Sequence, residues 1–311
     1  MKKILIISML LLSGILAGAS KEKVFLFSYF KGNGEDGLHL AYSLDGYNFK
    51  VLNNDQSFLK PVVGVSKLMR DPCIIQTPDG IFHMVWTAGW TERGIGYASS
   101  KDLITWSEQK YLMVMDKEPA ARNTWAPEIS YDKKQKQFLI IWSTTIPGRF
   151  PETQKAGDTG YNHRIYCITT KDFETFSETK LFYDQGFNVI DATIIRNGKK
   201  YVMFVKDETI EPPQKNIRIT NSDNLYGPYS EPSEPITGKY WAEGPTSVKV
   251  GDTWFVYFDK YRERKMGAVI SKDLVIWEDI SDRITFPAGT KHGTVFQVTQ
   301  PVLDKLLNMP K

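Results

Sequence analysis

The sequence predicts an all-β fold, a five-bladed β-propeller closed into a ring. Three observations support this prediction: a turn motif that occurs five times, an alternating aromatic strand before each copy, and almost no helical periodicity. The repeating units are 50–70 residues long and fill the chain after its first twenty positions. Short strands repeated radially are typical of propellers, in which each unit forms one blade.

The repeated turn has the pattern Ser or Thr, any residue, Asp, and then an aromatic residue within a few positions. Its clearest copies are "SSKDLITWSE" at 99–108 and "ISKDLVIWED" at 270–279. The aspartates of the whole series are Asp45, Asp102, Asp172, Asp223 and Asp273. Ser and Asp side chains hydrogen-bond to nearby backbone in turns, and the aromatic residue suits packing between blades. We therefore interpret the motif as structural.

Each unit contains an alternating strand before the turn, followed by a second short strand. The first strands are "KVFLFSYF", "IFHMVWTA", "QFLIIWST", "KYVMFVKD" and "TWFVYFDK". Period-two alternation of aromatic and β-branched residues between Gly, Asp and Asn is typical of strands. We expect four strands in each blade.

A further strand precedes four of the five units and is predicted to be the innermost strand of its blade. These segments are "RDPCII" (70–75), "WAPEIS" (125–130), "VIDATII" (189–195) and "AEGPTSV" (242–248). The first unit lacks such a strand, whereas "HGTVFQVT" (292–299) lies alone near the end of the sequence. The C-terminal strand is therefore predicted to complete the first blade, which removes exposed sheet edges.

The first nineteen residues are predicted to be a signal peptide. Lys2 and Lys3 precede an apolar run over 4–18, and Ala17-Gly18-Ala19 provides a small-residue cleavage site. The apolar run is too short to favour a transmembrane anchor. We expect a mature single propeller domain over 20–311, exported to the periplasm or secreted from a bacterium.

Composition excludes some partners. The net charge is +3 and the basic residues form no blocks, so a nucleic-acid partner is not expected. We expect a monomer without membrane insertion after cleavage. Cys73 and Cys167 lie in apolar segments without a spacing pattern, and both free thiols and a disulfide remain open.

Three acidic residues lie at the starts of three predicted innermost strands: Asp71, Asp191 and Glu243. Innermost strands line the shaft of a propeller, and the same end of each opens at one face. We therefore expect three carboxylates from three blades to converge on one funnel. Charged groups are rarely placed near a packed axis unless they are paired or used. A solvated acidic shaft or a structural ion site is the alternative.

The innermost segments, read in order, resemble glycoside hydrolase family 43. The resemblance rests on "RDPCII", "WAPEI", "VIDATII", "AEGPTSV" and "KHGTVFQV", and it extends over essentially the whole mature chain. It implies inverting hydrolysis of arabinofuranosides or β-xylosides by three carboxylates, with no cofactor needed for the chemistry. Asp71 matches the general base, Asp191 the aspartate that orients the acid and tunes its pKa, and Glu243 the general acid.

The physical requirements of inversion agree with these roles. The acid and the base stand roughly 6.5–9.5 Å apart so that a water fits between base and sugar. Acids on separate blades can span that gap across a funnel. The negative charge of Asp191 is expected to raise the pKa of Glu243, which would keep the acid protonated near neutral pH.

Several neighbouring residues are candidates for substrate binding. Trp125 is predicted to stack on a sugar ring or to pack between blades. Arg70, beside Asp71, is predicted to hold the base ionised, with a surface position as the alternative. Phe150 lies in a long loop over 144–163, a length typical of functional rims, and is predicted to border an outer subsite. Glu128 is predicted to face the shaft or to support Trp125.

His292 resembles the shaft histidine of the family, which lies near a bound calcium ion. Because calcium prefers oxygen ligands, we expect His292 to contact such an ion through water. A hydrogen-bonded core histidine without an ion is the alternative.

The predicted substrate is a plant-cell-wall polysaccharide or oligosaccharide, from which terminal α-L-arabinofuranosyl groups are released. β-Xylosidase or endo-1,4-β-xylanase action on xylan is the first alternative, and a non-catalytic carbohydrate-binding propeller is the second. Sialidases are disfavoured because the sequence has five units and no arginine triad. Fructan-cleaving propellers are disfavoured because their Asn-Asp-Pro-Asn signature is missing.

Overall fold

The computed structural model describes residues 23–309. The predicted signal peptide lies outside these residues. The described part of the chain forms nineteen strands in five separate antiparallel sheets, with one α-helix, α1 (Gln300–Leu307), near its end. The predicted five-bladed β-propeller is confirmed.

The blades follow one another along the chain, and we number them from the N-terminal strand. Blade 1 contains β1 (Lys23–Tyr29), β2 (His39–Ser43), β3 (Lys50–Val51) and β19 (Thr294–Thr299). Blade 2 contains β4 (Arg70–Gln76), β5 (Phe82–Thr87), β6 (Ile95–Ser100) and β7 (Lys110–Leu112). Blade 3 contains β8 (Trp125–Asp132), β9 (Gln137–Thr145), β10 (His163–Thr170) and β11 (Lys180–Tyr183). Blade 4 contains β12 (Val189–Asn197), β13 (Lys200–Asp207) and β14 (Asn216–Ser222). Blade 5 contains β15 (Glu243–Val250), β16 (Thr253–Lys260), β17 (Lys265–Ser271) and β18 (Glu278–Asp279).

The C-terminal strand closes the ring as predicted. Strand β19 pairs antiparallel with β1, in a register that sets Val24 opposite Val298 and Ser28 opposite Thr294. Helix α1 follows directly and buries Leu303 and Leu306 in the apolar cluster shared by blades 1 and 2. The two ends of the described chain therefore stabilise the same blade.

Removing the closing strand is expected to abolish cooperative folding. A chain that ends at Gly293 exposes the apolar edge of β1, including Leu26, which is fully buried in the intact propeller. An unpaired apolar edge favours association with other chains. Circular dichroism melts and size-exclusion chromatography of the truncated chain should show no single transition and an aggregated species. Thr299→Ala, an exposed site at the end of β19, is the control and should unfold like the parent. A monomeric truncated chain with an unchanged transition would contradict this role of β19.

Blade 4 has three strands, so the prediction of four strands in every blade was wrong for this unit. Residues 230–236 follow the free edge of β14, where the backbone N–H groups of Ser230, Ser233 and Ile236 bond to carbonyls of that strand. Three prolines lie in or beside this segment, Pro228, Pro232 and Pro235. Because proline has no N–H to donate, the segment forms scattered bonds instead of a regular ladder.

The repeated turns have the predicted structural role in four blades. In blade 2, the Ser100 hydroxyl accepts bonds from the N–H groups of Asp102 and Leu103, while Asp102 Oδ1 accepts those of Ile104 and Thr105. The same pattern is found at the turns of Asp45, Asp172 and Asp273. In blade 4 Asn224 replaces the aspartate: the Ser222 hydroxyl accepts a bond from the N–H of Asn224, and Asn224 Oδ1 accepts that of Tyr226, while Asp223 is 85% exposed and pairs with Lys200.

The structure also settles the state of the two cysteines. Both cysteines are free thiols, Cys73 buried and Cys167 partly buried, which decides the alternative left open by the sequence. Within residues 23–309, no helix combines the length and apolar character needed to cross a membrane.

Candidate active site

The innermost strands of blades 2 to 5 share a β-bulge close to their first residue. The pairing register shifts after Arg70, Trp125, Ile190 and Glu243, the first or second residues of β4, β8, β12 and β15. The next residue has a positive φ in every case: Asp71 (52°), Ala126 (46°), Asp191 (53°) and Gly244 (58°). Bulges re-aim side chains, and here they place one residue of each blade at the axis.

These four bulge residues line one small axial cavity together with His292. The cavity has a volume of about 20 Å³, close to the room that one water needs. A Cβ atom at Gly244 would lie 1.7 Å from His292 Nδ1, so only glycine fits beside the imidazole. The non-glycine members hold strained backbone, which is typical of functional sites.

Asp71 is held as a carboxylate. Its Oδ2 accepts a 2.7 Å hydrogen bond from Thr87 Oγ1, and His292 Nε2 lies 2.6 Å from its Oδ1. Burial alone would raise the pKa of Asp71, but the positive charge of His292, its hydrogen bond, and Arg70 outweigh burial and lower the pKa to about 2. Asp71 is therefore ionised and fixed in orientation.

Asp191 lies across the cavity and is only 6% exposed. Its Oδ2 accepts a 2.9 Å bond from the backbone N–H of Gly244, and its own N–H donates to Ser143 Oγ at 3.2 Å. Burial raises the pKa of Asp191 to about 7, with the charges of Glu243 and Asp71 adding to the effect and those of His292 and Lys206 opposing it. Asp191 thus exchanges a proton near neutral pH and anchors the peptide that follows Glu243.

Glu243 precedes Gly244, the bulge residue that lines the cavity, and its side chain is 24% exposed. Its Oε2 accepts a 2.9 Å hydrogen bond from Lys206 Nζ, and the Lys206 side chain is only 1% exposed. Burial would raise the pKa of Glu243, but the charge of Lys206 and then that of His292 lower it below its usual value. The net rise expected for this pKa is not found, because the buried cation at 2.9 Å has a larger effect than the neighbouring carboxylates.

Lys206 was missed by the sequence reasoning, although a signal for it existed. It stands near the end of "KYVMFVKD", directly after four apolar residues of β13. A lysine inside a buried strand is almost never left without a charged partner. Glu243 and Glu208 are its partners, at 2.9 and 2.5 Å.

Trp125 and Arg70 each lie one position before a bulge residue, and both contact Trp90. The Trp125 Nε1–H donates to the carbonyl of Trp90 at 2.9 Å, and the two indoles meet edge to face. The Arg70 guanidinium lies 4.2 Å from the Trp90 ring centre and 4.6 Å from that of Phe30. Arg70 is therefore clamped between aromatic rings, and its charge helps to lower the pKa of Asp71.

Glu128 faces the shaft, which decides between its two predicted positions. It lines the axial cavity, and its carboxylate accepts bonds from Thr193 Oγ1 at 2.9 Å and Thr294 Oγ1 at 3.4 Å. Burial raises its pKa to about 7. Glu128 thus links the innermost strands of blades 3, 4 and 1 from inside the shaft.

Phe150 lies at the edge of the long loop of blade 3. The guanidinium of Arg164 lies 4.2 Å from its ring centre, and its backbone carbonyl accepts a bond from Asn162. Neither of these two contacts involves Asp71, Asp191 or Glu243. Its assignment to an outer subsite stays a prediction.

The calcium ion expected near His292, in contact through water, stays a prediction. Among residues 23–309, no group of three or more His, Cys, Asp or Glu side chains is arranged to hold a metal. Burial would lower the pKa of His292, but the charge of Asp71 and its contact raise it to about 10. The imidazole is therefore a cation next to the Asp71 carboxylate.

Asp71, Asp191 and Glu243 thus come from the innermost strands of three blades, and their charges act on one another around one axial cavity. Over residues 21–304 the chain matches the family model described as a probable glycosyl hydrolase domain, related to glycoside hydrolase family 43. The chain belongs to this family, as the resemblance of its innermost strands implied.

Individual relatives are more distant. The chain is 26% identical over 245 residues to an α-L-arabinofuranosidase of Bifidobacterium longum, an alignment that covers 66% of this chain and 23% of that protein. A thermostable family-43 glycoside hydrolase aligns with a TM-score of 0.54 at 17% identity, over 74% of this chain and 82% of the other. An exo-β-1,3-galactanase from Phanerochaete chrysosporium, crystallised with β-1,3-galactotriose, aligns at 0.54 and 12%, over 72% and 53%. Both structural matches show the fold alone.

Proposed function

We propose that the protein is an inverting glycosidase that releases terminal α-L-arabinofuranosyl groups, with Asp71 as general base and Glu243 as general acid. The observation that carries the proposal is that Asp71 and Asp191 line one axial cavity, while Glu243 adjoins Gly244 of its wall and lies near enough for the three charges to act on one another. The arabinofuranosyl specificity is supported by the name of the Bifidobacterium longum relative. The chain spans under a quarter of that protein's length, so the activity of the whole relative is carried over only as a proposal.

In the proposed reaction, Asp71 accepts a proton from a water while that water attacks the anomeric carbon. The bond from this carbon to the leaving oxygen breaks, and Glu243 donates a proton to that oxygen. The lowered pKa keeps Asp71 ionised whenever substrate arrives, and it also makes the carboxylate a weaker proton acceptor than a group with a pKa near the working pH. The reaction needs only water as co-reactant.

The acid needs a proton that its lowered pKa does not favour in the free protein. The negative charge of Glu243 helps to raise the pKa of Asp191, and we propose that the two carboxyls share one proton. Lys206 lowers the pKa of both carboxyls, but it bonds directly to Glu243, so in the free protein the proton is proposed to lie on Asp191. A bound sugar excludes water from Glu243, which disfavours its charged form and moves the shared proton towards it. This is the role proposed for Asp191.

Trp125 and Arg70 are proposed to contact the sugar at the mouth, Trp125 through its indole face. Export of the protein, its action as a monomer and a carbohydrate ligand remain proposals based on the sequence. Action on xylan is the second candidate for the substrate.

The proposal is tested with nitrophenyl glycosides of arabinofuranose, xylose and galactose, together with arabinan, xylan and β-1,3-galactan. We expect the α-L-arabinofuranoside to be hydrolysed fastest, and proton NMR of the first product to show the anomer opposite to that of the substrate. Net retention would contradict the inverting mechanism. Binding of a sugar without hydrolysis of any substrate in the panel would favour the carbohydrate-binding alternative.

A further inference from the structure

Alternating charges run from Glu243 away from the mouth to the long loop between β9 and β10. Lys206 bridges Glu243 and Glu208, with Nζ to oxygen distances of 2.9 and 2.5 Å. Glu208 then accepts a bond from Lys215 at 2.7 Å, and Lys215 donates to Asp158 at 2.7 Å. We call these five residues the charge ladder.

The inner members of the charge ladder are withdrawn from water. The side chains of Lys206 and Lys215 are each 1% exposed, and that of Glu208 is 14% exposed. Aromatic rings cover both cations: Tyr261 lies 4.7 Å from Lys206 Nζ, and Trp241 lies 5.5 Å from Lys215 Nζ. Charges separated from water act on one another far more strongly than surface charges do. A change in one member therefore reaches the next.

The outer end of the charge ladder lies on a segment that also contacts the mouth. Asp158 is 32% exposed and exchanges two backbone hydrogen bonds with Tyr161. The Tyr161 ring packs against Trp125, with 4.7 Å between the ring centres. The same short turn thus contacts a rim residue on one side and Lys215 on the other.

We propose that Lys206 is a positioning residue for Glu243, and that the charge ladder makes the protonation of Glu243 depend on Lys215 and Asp158 in the loop of blade 3. The inference rests on the proposed function, since it takes Glu243 as the acid. No substrate contact of Lys206 is needed for it.

Other charged or titratable groups also face Glu243, and the charge ladder has to be separated from them. They come from three blades and the segment before β19: Asp71, Asp191, Asp259, Tyr261 and His292. None of them belongs to the charge ladder, so substitutions along it leave all of them in place.

The test is the pH profile of kcat/KM for an arabinofuranoside with a poor leaving group. A general acid works while it is protonated, so the alkaline limb moves in the same direction as the pKa of the acid. Loss of a positive charge raises a carboxyl pKa, and loss of a negative charge lowers it. We therefore expect Lys206→Met and Lys215→Met to move the limb to higher pH, and Glu208→Gln and Asp158→Asn to move it to lower pH. For Lys206→Met we expect about one pH unit or more.

Alternation of sign is the outcome that a purely structural role would not produce. Lys206→Arg keeps the charge and should leave the limb near that of the parent protein. Lys200→Met and Asp252→Asn are matched controls at exposed surface pairs, and they should not move the limb. The shifts should decrease from Lys206 to Asp158, as the distance from Glu243 grows.

The outcomes also separate this inference from the proposed function. If Glu243→Gln leaves turnover intact, the proposed function is wrong and the ladder has no acid to act on. In a second case, Glu243→Gln is inactive while Lys215→Met and Asp158→Asn shift the alkaline limb in the same direction or not at all. The inference about the charge ladder is then wrong and the proposed function stands. Should Lys206→Met fail to fold, Asp158→Asn decides by itself, because this partly exposed site tolerates an isosteric change.

Discussion

Glu243→Gln is expected to lower kcat about 1,000-fold on arabinan oligosaccharides and only slightly on a dinitrophenyl arabinofuranoside. Glutamine has the shape of glutamate but no acidic proton, so a leaving oxygen of high pKa departs without assistance. A dinitrophenolate leaves readily by itself and gains little from the acid. The measurement is kcat and KM for a series of aryl arabinofuranosides, with log kcat plotted against the pKa of the leaving group. The slope should be steep for Glu243→Gln and shallow for the parent.

The control for this substitution is Glu234→Gln, which changes an exposed glutamate and should leave the slope unchanged. Equal losses for good and poor leaving groups would show that Glu243 does not protonate the leaving oxygen. Glu243→Gln also removes the charge that Lys206 neutralises, so the melting temperature has to be measured alongside. A folded variant makes the kinetic comparison valid.

The repeat pattern of the sequence predicts most of the fold because a propeller repeats one local solution in every blade. The Ser-x-Asp turns form local hydrogen bonds, and the alternating strands have a local burial pattern. Both can therefore be recognised in the sequence without knowledge of tertiary contacts. Ring closure also followed from the sequence, since β1 lacked a partner and the 292–299 segment had none. The irregular edge of blade 4 was harder to predict. Pro228, Pro232 and Pro235 interrupt pairing only along the outer edge of β14, and the sequence does not show which segment lies on that edge.

The candidate site was predicted by position but not by charge state. Asp71, Asp191 and Glu243 could be placed at one mouth because the starts of innermost strands share a face of any propeller. The bulges that turn Asp71 and Asp191 to the axis depend on positive φ angles, which we did not predict from the residue pattern. The lowered pKa of Glu243 depends on Lys206, about forty positions away in another blade. Electrostatics of this kind follows from three-dimensional neighbours, which single-sequence reasoning does not supply.

Asp71→Asn is expected to lower kcat by about 1,000-fold or more for good and poor leaving groups alike, because water then attacks without a base. Asparagine keeps the shape of aspartate and tolerates the positive φ of 52° better than most residues do. Its side chain can still accept the hydrogen bond from Thr87. The slope of log kcat against leaving-group pKa should therefore stay near that of the parent, whereas in Glu243→Gln it steepens. Asp282→Asn, at a site 95% exposed, is the matched control and should keep full activity.

Asp71→Gly provides the second arm of this experiment, since glycine suits the positive φ and leaves room beside His292. Azide added to this variant should attack the anomeric carbon directly, while the leaving oxygen takes the proton of Glu243 and departs. The product would be a glycosyl azide of inverted configuration, identified by NMR and mass spectrometry. A base that only removes a proton from water can be bypassed by an anion that needs no deprotonation. If azide restores no turnover in a folded Asp71→Gly variant, or if the azide product retains its configuration, then Asp71 is not the base of an inverting reaction.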